Sequence, residues 1–194
     1  MVGMNRNSII KLPNPALLKR SRRVGLIDDH VKKVISNMKA ATLDWEAHRD
    51  HEFGVALAAV QIDEPLRIVV VRSNFEDKAN HDFQVFINPE ITKFDGELST
   101  ELEGCLSVPD LYGKVPRYSR VKVKALDQNR QPVRVTAEGF LARVFQHEID
   151  HTNGKTYAQR IGSDGDYFVM KPDGKLDHLD TESKAKILDE LKIK

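Results

Sequence analysis

The sequence predicts an α+β fold in which antiparallel β-sheets pack around a central helix, with an amphipathic helix near the start and a short helix at the end. Two observations predict it. Apolar residues recur at helical 3/4 spacing around Val31–Trp45 and again around Phe140–His151. Between and before the second of these lie β-rich runs separated by polar segments of hairpin type, which imply antiparallel pairing. At 194 residues the chain suits one domain, 1–194, with a sizeable core.

Taken in order, Ile9–Leu18 (IIKLPNPALL) is broken by Pro13 and Pro15, so it is expected to be extended or turn-like. Asp28 and Asp29 can cap a helix in which Val31, Val34, Ile35, Met38, Ala41 and Trp45 share one face, ending near Ala47. The polar segment His48–Glu52 reads as a loop, with His48 and His51 as solvated residues rather than a metal pair. Gly54–Ile62 (GVALAAVQI) is small and apolar until Gln61. Small residues allow a ligand to approach the backbone, and a Gln amide there either donates to a substrate oxygen or satisfies buried backbone groups.

Leu66–Val71 and Phe83–Ile87 are expected strands, the second ending at a turn at Asn88–Pro89, with residues 74–82 as an exposed hairpin loop. Arg120–Leu126 and Pro132–Ala137 form another pair about the turn Asp127–Arg130. After the central helix, Tyr167–Met170 is an expected edge strand, Lys171–Gly174 a turn, and Asp180 or Thr181 the start of a final helix with Ile187, Leu188 and Leu191 inward.

The chemistry is concentrated in Phe140–Gly154 (FLARVFQHEIDHTNG), which contains an HExxH pattern. His147 and His151 lie one helical turn apart and can reach one metal ion, while Glu148 can take a proton from a water activated to a pKa near 7. Phe140, Leu141, Val144, Phe145 and Ile149 mark the helix as buried, where unpaired polar groups cost about 1–3 kcal/mol. The third ligand is open at this point. Cys105, the sole cysteine, is either that ligand or a small core residue; Glu182 and Glu190 are alternatives; Tyr157 occupies the position where a metzincin has its third histidine.

Charged residues at 30% and a net charge of +1 argue against a general nucleic-acid or membrane-surface binder, and no nucleic-acid motif is present. No stretch reaches the roughly 20 apolar residues of a membrane span, and the first residues lack a signal-peptide core, so a cytoplasmic location is expected.

Three segments, GVALAAVQ, EGCLS and QHEIDH, resemble in order and spacing the signature motifs of the peptide deformylases, and LPNPALL before a helix is similar to that family's N-terminal part. The resemblance spans about residues 9–161. It implies hydrolysis of the N-formyl group from the initiator methionine of nascent bacterial or organellar polypeptides, near the ribosome, by an enzyme using Fe²⁺ or a substitute such as Zn²⁺, Ni²⁺ or Co²⁺. It further implies that Cys105, His147 and His151 hold the metal and that Glu148 is the general base. Gln61 and the backbone N–H of Leu106 would donate to the formyl oxygen, and Gly54, Val55 and Ala56 would run along the peptide. Glu103 and Arg117 are expected to pair behind the site.

The chain departs from the family pattern at Ala56, where the motif has a second glycine, and at Arg143, where an apolar residue lines the methionine pocket. Thr152 and Gln159 also differ. An Ala methyl would crowd the peptide or demand an unfavourable φ. Arg143 either snorkels outward or enters the pocket and favours side chains that accept hydrogen bonds.

Overall fold

In the computed structural model, which describes residues 4–75 and 77–193, four helices and seven strands follow one another as α1, β1 to β5, α2, α3, β6, β7 and α4. Residues 1–3 of the N-terminal segment and residue 76 of the 74–82 loop lie outside the described residues. Ile9–Leu18 is turn-like, with a short 3-10 turn at Pro15–Leu18 begun by Asn14, whose Oδ1 accepts the Ala16 N–H. Asp28 starts α1 (Asp29–Glu46) by accepting the Val31 N–H at 2.9 Å. All six residues assigned to its apolar face are buried.

The strands form one antiparallel path, β1 (Ala56–Ala58), β2 (Ile68–Arg72), β3 (Phe83–Cys105), β4 (Val108–Leu126), β6 (Tyr167–Met170) and β7 (Leu176–His178), with β5 (Pro132–Glu138) also on β4. All five residues of β2 are buried because both of its faces are covered. Ile68 and Val70 pack with α1, while Val69 and Val71 pack with Phe145 and Ile149 of α2 (Gly139–Thr152). The HExxH helix therefore lies on the sheet face opposite α1.

The expected turn at Asn88–Pro89 does not end a strand. Asn88 takes φ +53°, its side chain bonds both the N–H and C=O of Val24 at 2.8 Å, and β3 continues past it with a shift in register. A bulge absorbs the turn signal. Four such shifts interrupt the β3–β4 ladder between the core and the HExxH helix. Tyr167–Met170 is not an edge strand either, since β7 pairs beyond it. β7 and α3 (Tyr157–Ile161) are too short to leave a periodic signal. Asp180 caps α4 (Thr181–Glu190), and Leu188 packs with Tyr167, Leu179 and Ile193 in the core region that also contains Cys105. Among the described residues no helix is long and apolar enough to cross a membrane.

Candidate metal centre

The chain passes directly from β5 into α2 because Gly139 adopts φ +54°, a conformation that costs glycine nothing. At the other end Gly154, at φ +74°, closes on Leu18, whose carbonyl oxygen would lie 2.7 Å from any added Cβ. Between these ends every residue from Ala142 to Thr152 is buried. His147 and His151 face the end of β3 with ring centroids 5.0 Å apart.

Cys105 ends β3, and its Sγ lies 3.2 Å from His151 Nε2. Ligand atoms of Cys105, His147 and His151 all fall within 4.8 Å of one another, the single such buried trio among the described residues. Gly104 is required by packing, since a Cβ there would sit 2.6 Å from the Tyr112 ring. Glu182 and Glu190 are exposed on α4 and take no part. Tyr157 stacks on His147 with ring centroids 6.1 Å apart and donates its hydroxyl to Leu111 O at 2.8 Å, so it serves as packing rather than as a ligand.

Behind the trio, His147 Nδ1 donates to Glu103 Oε2 at 2.9 Å, which leaves Nε2 for ligation. The expected Glu103–Arg117 pair forms bidentately at 2.9 and 3.0 Å, and Arg117 and Arg160 both donate to Asp150. Burial alone would raise the Glu103 carboxyl; hydrogen bonds from His147 and Arg117 overcome it and hold the group well below the carboxylate range. Burial pushes His151 well below its ordinary value, whereas burial of His147 is outweighed by hydrogen bonds to Cys105 and Glu103, which push it above its own. Burial likewise pushes Glu148 up to about 7, and its Oε2 is buried without a hydrogen-bond partner among the described residues. One thiol, two imidazoles and an unsatisfied carboxyl beside them fit a tetrahedral divalent ion with a base at hand.

A cavity of about 400 Å³ opens on Cys105 and His147 of the trio, with His151 fully buried behind them, and is bordered by Gln61, Leu106, Val55, Ala56, Arg143 and Glu148, among others. Gln61 Oε1 accepts the Ala58 N–H at 2.8 Å, which turns Nε2 toward Cys105 Sγ at 3.5 Å and Ser107 Oγ at 3.2 Å. The amide thus satisfies a buried backbone group and presents its donor side to the centre. Leu106 and Ser107 form the turn from β3 to β4. Gly54 is off the cavity wall: its N–H donates to Glu46 Oε2, and an added Cβ would sit 2.7 Å from Thr42 Cγ2, so packing on α1 demands the glycine.

Ala56 lies in extended β1 and not at positive φ, so its methyl imposes no backbone strain. Arg143 does not snorkel outward. Its guanidinium is buried and donates to Glu103 Oε1, Val115 O and Ser99 O at 2.8 to 2.9 Å, with Glu101 3.4 Å from Nε. Thr152 is buried, its hydroxyl on Ile149 O, and Gln159 accepts the Thr156 N–H at the start of α3. The sequence gives no site role to Ser107, which accepts from Gln61, nor to Glu52, Tyr112, Met170 and Leu176, which border the cavity together with His51, expected only as a solvated loop residue. Ser107 sits two residues beyond Cys105, a signal that EGCLS contains; the others come from distant segments.

Residues 6–166 match the model of the polypeptide deformylase family. The chain belongs to the peptide deformylase family. The peptide deformylase of Aquifex aeolicus is 40% identical over 153 residues, which is 79% of this chain and 86% of that one. That of Brucella suis is 38% identical over 160 residues, 81% of this chain and 86% of its own. Among solved deformylases, one from Synechococcus elongatus in complex with actinonin superposes with a TM-score of 0.73 at 30% identity, covering 93% of this chain and 85% of that one. One from Legionella pneumophila gives 0.72 at 32% identity, covering 98% and 96%. Deformylase membership accounts for the joint presence of the thiol, the HExxH helix and the Gln61 amide around one cavity.

Proposed function

We propose that this protein, as one domain over 1–194, hydrolyses the N-formyl group from the N-terminal methionine of nascent polypeptides, releasing formate and a free amine. The observation that carries the reading is the meeting of Cys105, His147 and His151 within 4.8 Å beside Glu148 and the Gln61 amide, in a chain of this family. Cys105, His147 and His151 would hold one divalent ion, which supplies Lewis acidity and lowers the pKa of water to about 7. Iron(II) is the native ion in this reading, with Zn²⁺, Ni²⁺ or Co²⁺ as substitutes; an iron–thiolate site is air-sensitive, and zinc in its place gives a more stable, less active protein.

Glu148 takes the proton from the attacking water and passes it to the leaving amine nitrogen as the C–N bond of the formamide breaks. The Gln61 Nε2–H, oriented by the bond from Ala58 to Oε1, donates to the formyl oxygen as it gains charge, together with the Leu106 backbone N–H. Val55 and Ala56 run along the peptide, whose backbone can pair with the edge of β1, which among the described strands pairs with β2 alone. A nascent-chain substrate implies work near the ribosomal exit tunnel, in a bacterial cytoplasm or an organelle.

A zincin-like endopeptidase would be indifferent to Cys105, which the short Sγ–His151 contact argues against. Metal analysis followed by a formate-release assay on formyl-Met-Ala tests the proposal. One divalent ion per chain and formate release are expected; a metal-loaded protein that releases no formate overturns it.

A further inference from the structure

The family match ends at residue 166, yet the chain beyond it builds part of the cavity wall. β6 extends the sheet through Leu111↔Val169 and Gly113↔Tyr167, and β7 returns against it. Met170 and Leu176 are direct cross-strand partners, so their side chains share one face of the hairpin, and both border the cavity that opens on Cys105 and His147. Each is only partly buried, which leaves apolar surface available to a ligand.

The hairpin is held in place. The Tyr167 hydroxyl donates to the carbonyl oxygens of Ala158 and Gly162 at 3.1 Å, and Tyr167 and Leu179 lie in the core region shared with Cys105. At its tip, Gly174 takes φ +80° and lies so close to the His51 ring that an added Cβ would be 2.7 Å from it. Lys171 pairs with Asp177 across the turn, and Tyr112, which donates to Glu52, brings its hydroxyl within 4.0 Å of Met170 Sδ. The hairpin is therefore a fixed wall, with the Glu52 carboxylate next to it.

Resting on the deformylase reading, we propose that Met170 and Leu176 determine specificity for the residues that follow the formylated one. Glu148, Cys105 and His147 line the same cavity as the hairpin, so with the formyl group at Glu148 the hairpin wall is set against the residues that follow the formylated one. Apolar side chains there lose water against Met170 and Leu176, and acidic ones meet Glu52. The contribution is one of binding and appears in KM more than in kcat.

The test compares kcat/KM for formyl-Met-Leu-Leu, formyl-Met-Ser-Ser and formyl-Met-Lys-Lys with wild type, Met170→Ser, Leu176→Ser and Leu176→Glu. Wild type should favour the Leu-Leu peptide over the Ser-Ser peptide by about tenfold. Each Ser variant should reduce that ratio to about twofold through a higher KM, and Leu176→Glu should raise the Lys-Lys peptide relative to Leu-Leu. Because Leu176 is partly exposed, Leu176→Glu keeps the test open if a Ser variant folds poorly. Ratios unchanged in folded variants overturn the assignment of the hairpin alone. A wild type that releases formate from none of the peptides overturns the deformylase reading and the hairpin's role with it.

Discussion

His147 is bonded through Nδ1 to Glu103 at 2.9 Å, and that same carboxylate accepts from Arg117 and Arg143. Arg143 stands one turn before His147 on α2, so a single helix presents both a proposed ligand and a cation that holds its hydrogen-bond partner Glu103. Arg143→Leu leaves Glu103 with Arg117 and His147 but removes a buried charge-assisted bond, for an expected stability loss of about 1.5–3 kcal/mol. Metal affinity should weaken by about 10–100-fold, as for other partners of ligating histidines. Chelator competition with the Co²⁺ or Ni²⁺ protein measures it; an unchanged affinity would show that Arg143 serves packing alone.

The guanidinium of Arg143 is already occupied by Glu103, Val115 and Ser99, so it has little to offer a substrate side chain. Formyl-Met and formyl-norleucine peptides should therefore exceed formyl-Glu peptides in kcat/KM by about 100-fold or more, the cost of burying an unpaired carboxylate. Comparable rates for the three would mean that Arg143 breaks its present bonds to meet the substrate.

Cys105 and Glu148 should separate metal binding from turnover. Cys105→Ser exchanges a soft ligand for a hard, protonated one and should lose most of the bound metal. Glu148→Gln keeps the metal and should lower kcat by about 10²–10⁴-fold, the range for a general acid–base group. Metal content by atomic spectroscopy alongside formate release distinguishes the two; full metal occupancy in Cys105→Ser would remove the thiol from the ligand set.

Gln61 is fixed by Ala58 before any substrate arrives, which is the condition under which an oxyanion donor is most effective. Gln61→Ala should lower kcat by about 10²–10³-fold with a small change in KM. A change confined to KM would make Gln61 a ground-state binder instead.

Because the trio joins β3 to α2, metal binding should stabilise the fold. Removing the ion with a chelator should lower Tm, and restoring Zn²⁺ at 100 times its Kd should return about 2.7 kcal/mol. A Tm insensitive to metal would imply that the fold binds none at this site.

The sequence by itself determined the elements whose signals are local. The 3/4 spacing placed α1 and its buried face, and the one-turn spacing of His147 and His151 required a helix to bring two imidazoles together. Cys105 was different: it is 46 residues from His151, and spacing along the chain carries no distance at that separation, so as the sole cysteine it stood open between ligand and core residue until the resemblance of EGCLS to a family motif favoured the ligand. Asn88 and Pro89 looked like a turn because their backbone preferences do signal one; pairing with β2 and β4 outweighed the preference and made a bulge of it. Arg143 was visible as a departure, but its fate depended on which carboxylate and carbonyl groups β3 and β4 would bring around it. Tertiary structure likewise turned Gly54 toward α1 and set Met170 and Leu176 into the cavity wall. Helical and strand periodicities are written within a few residues, whereas ligand distances, buried ion pairs and cavity walls arise when segments far apart in sequence are packed together.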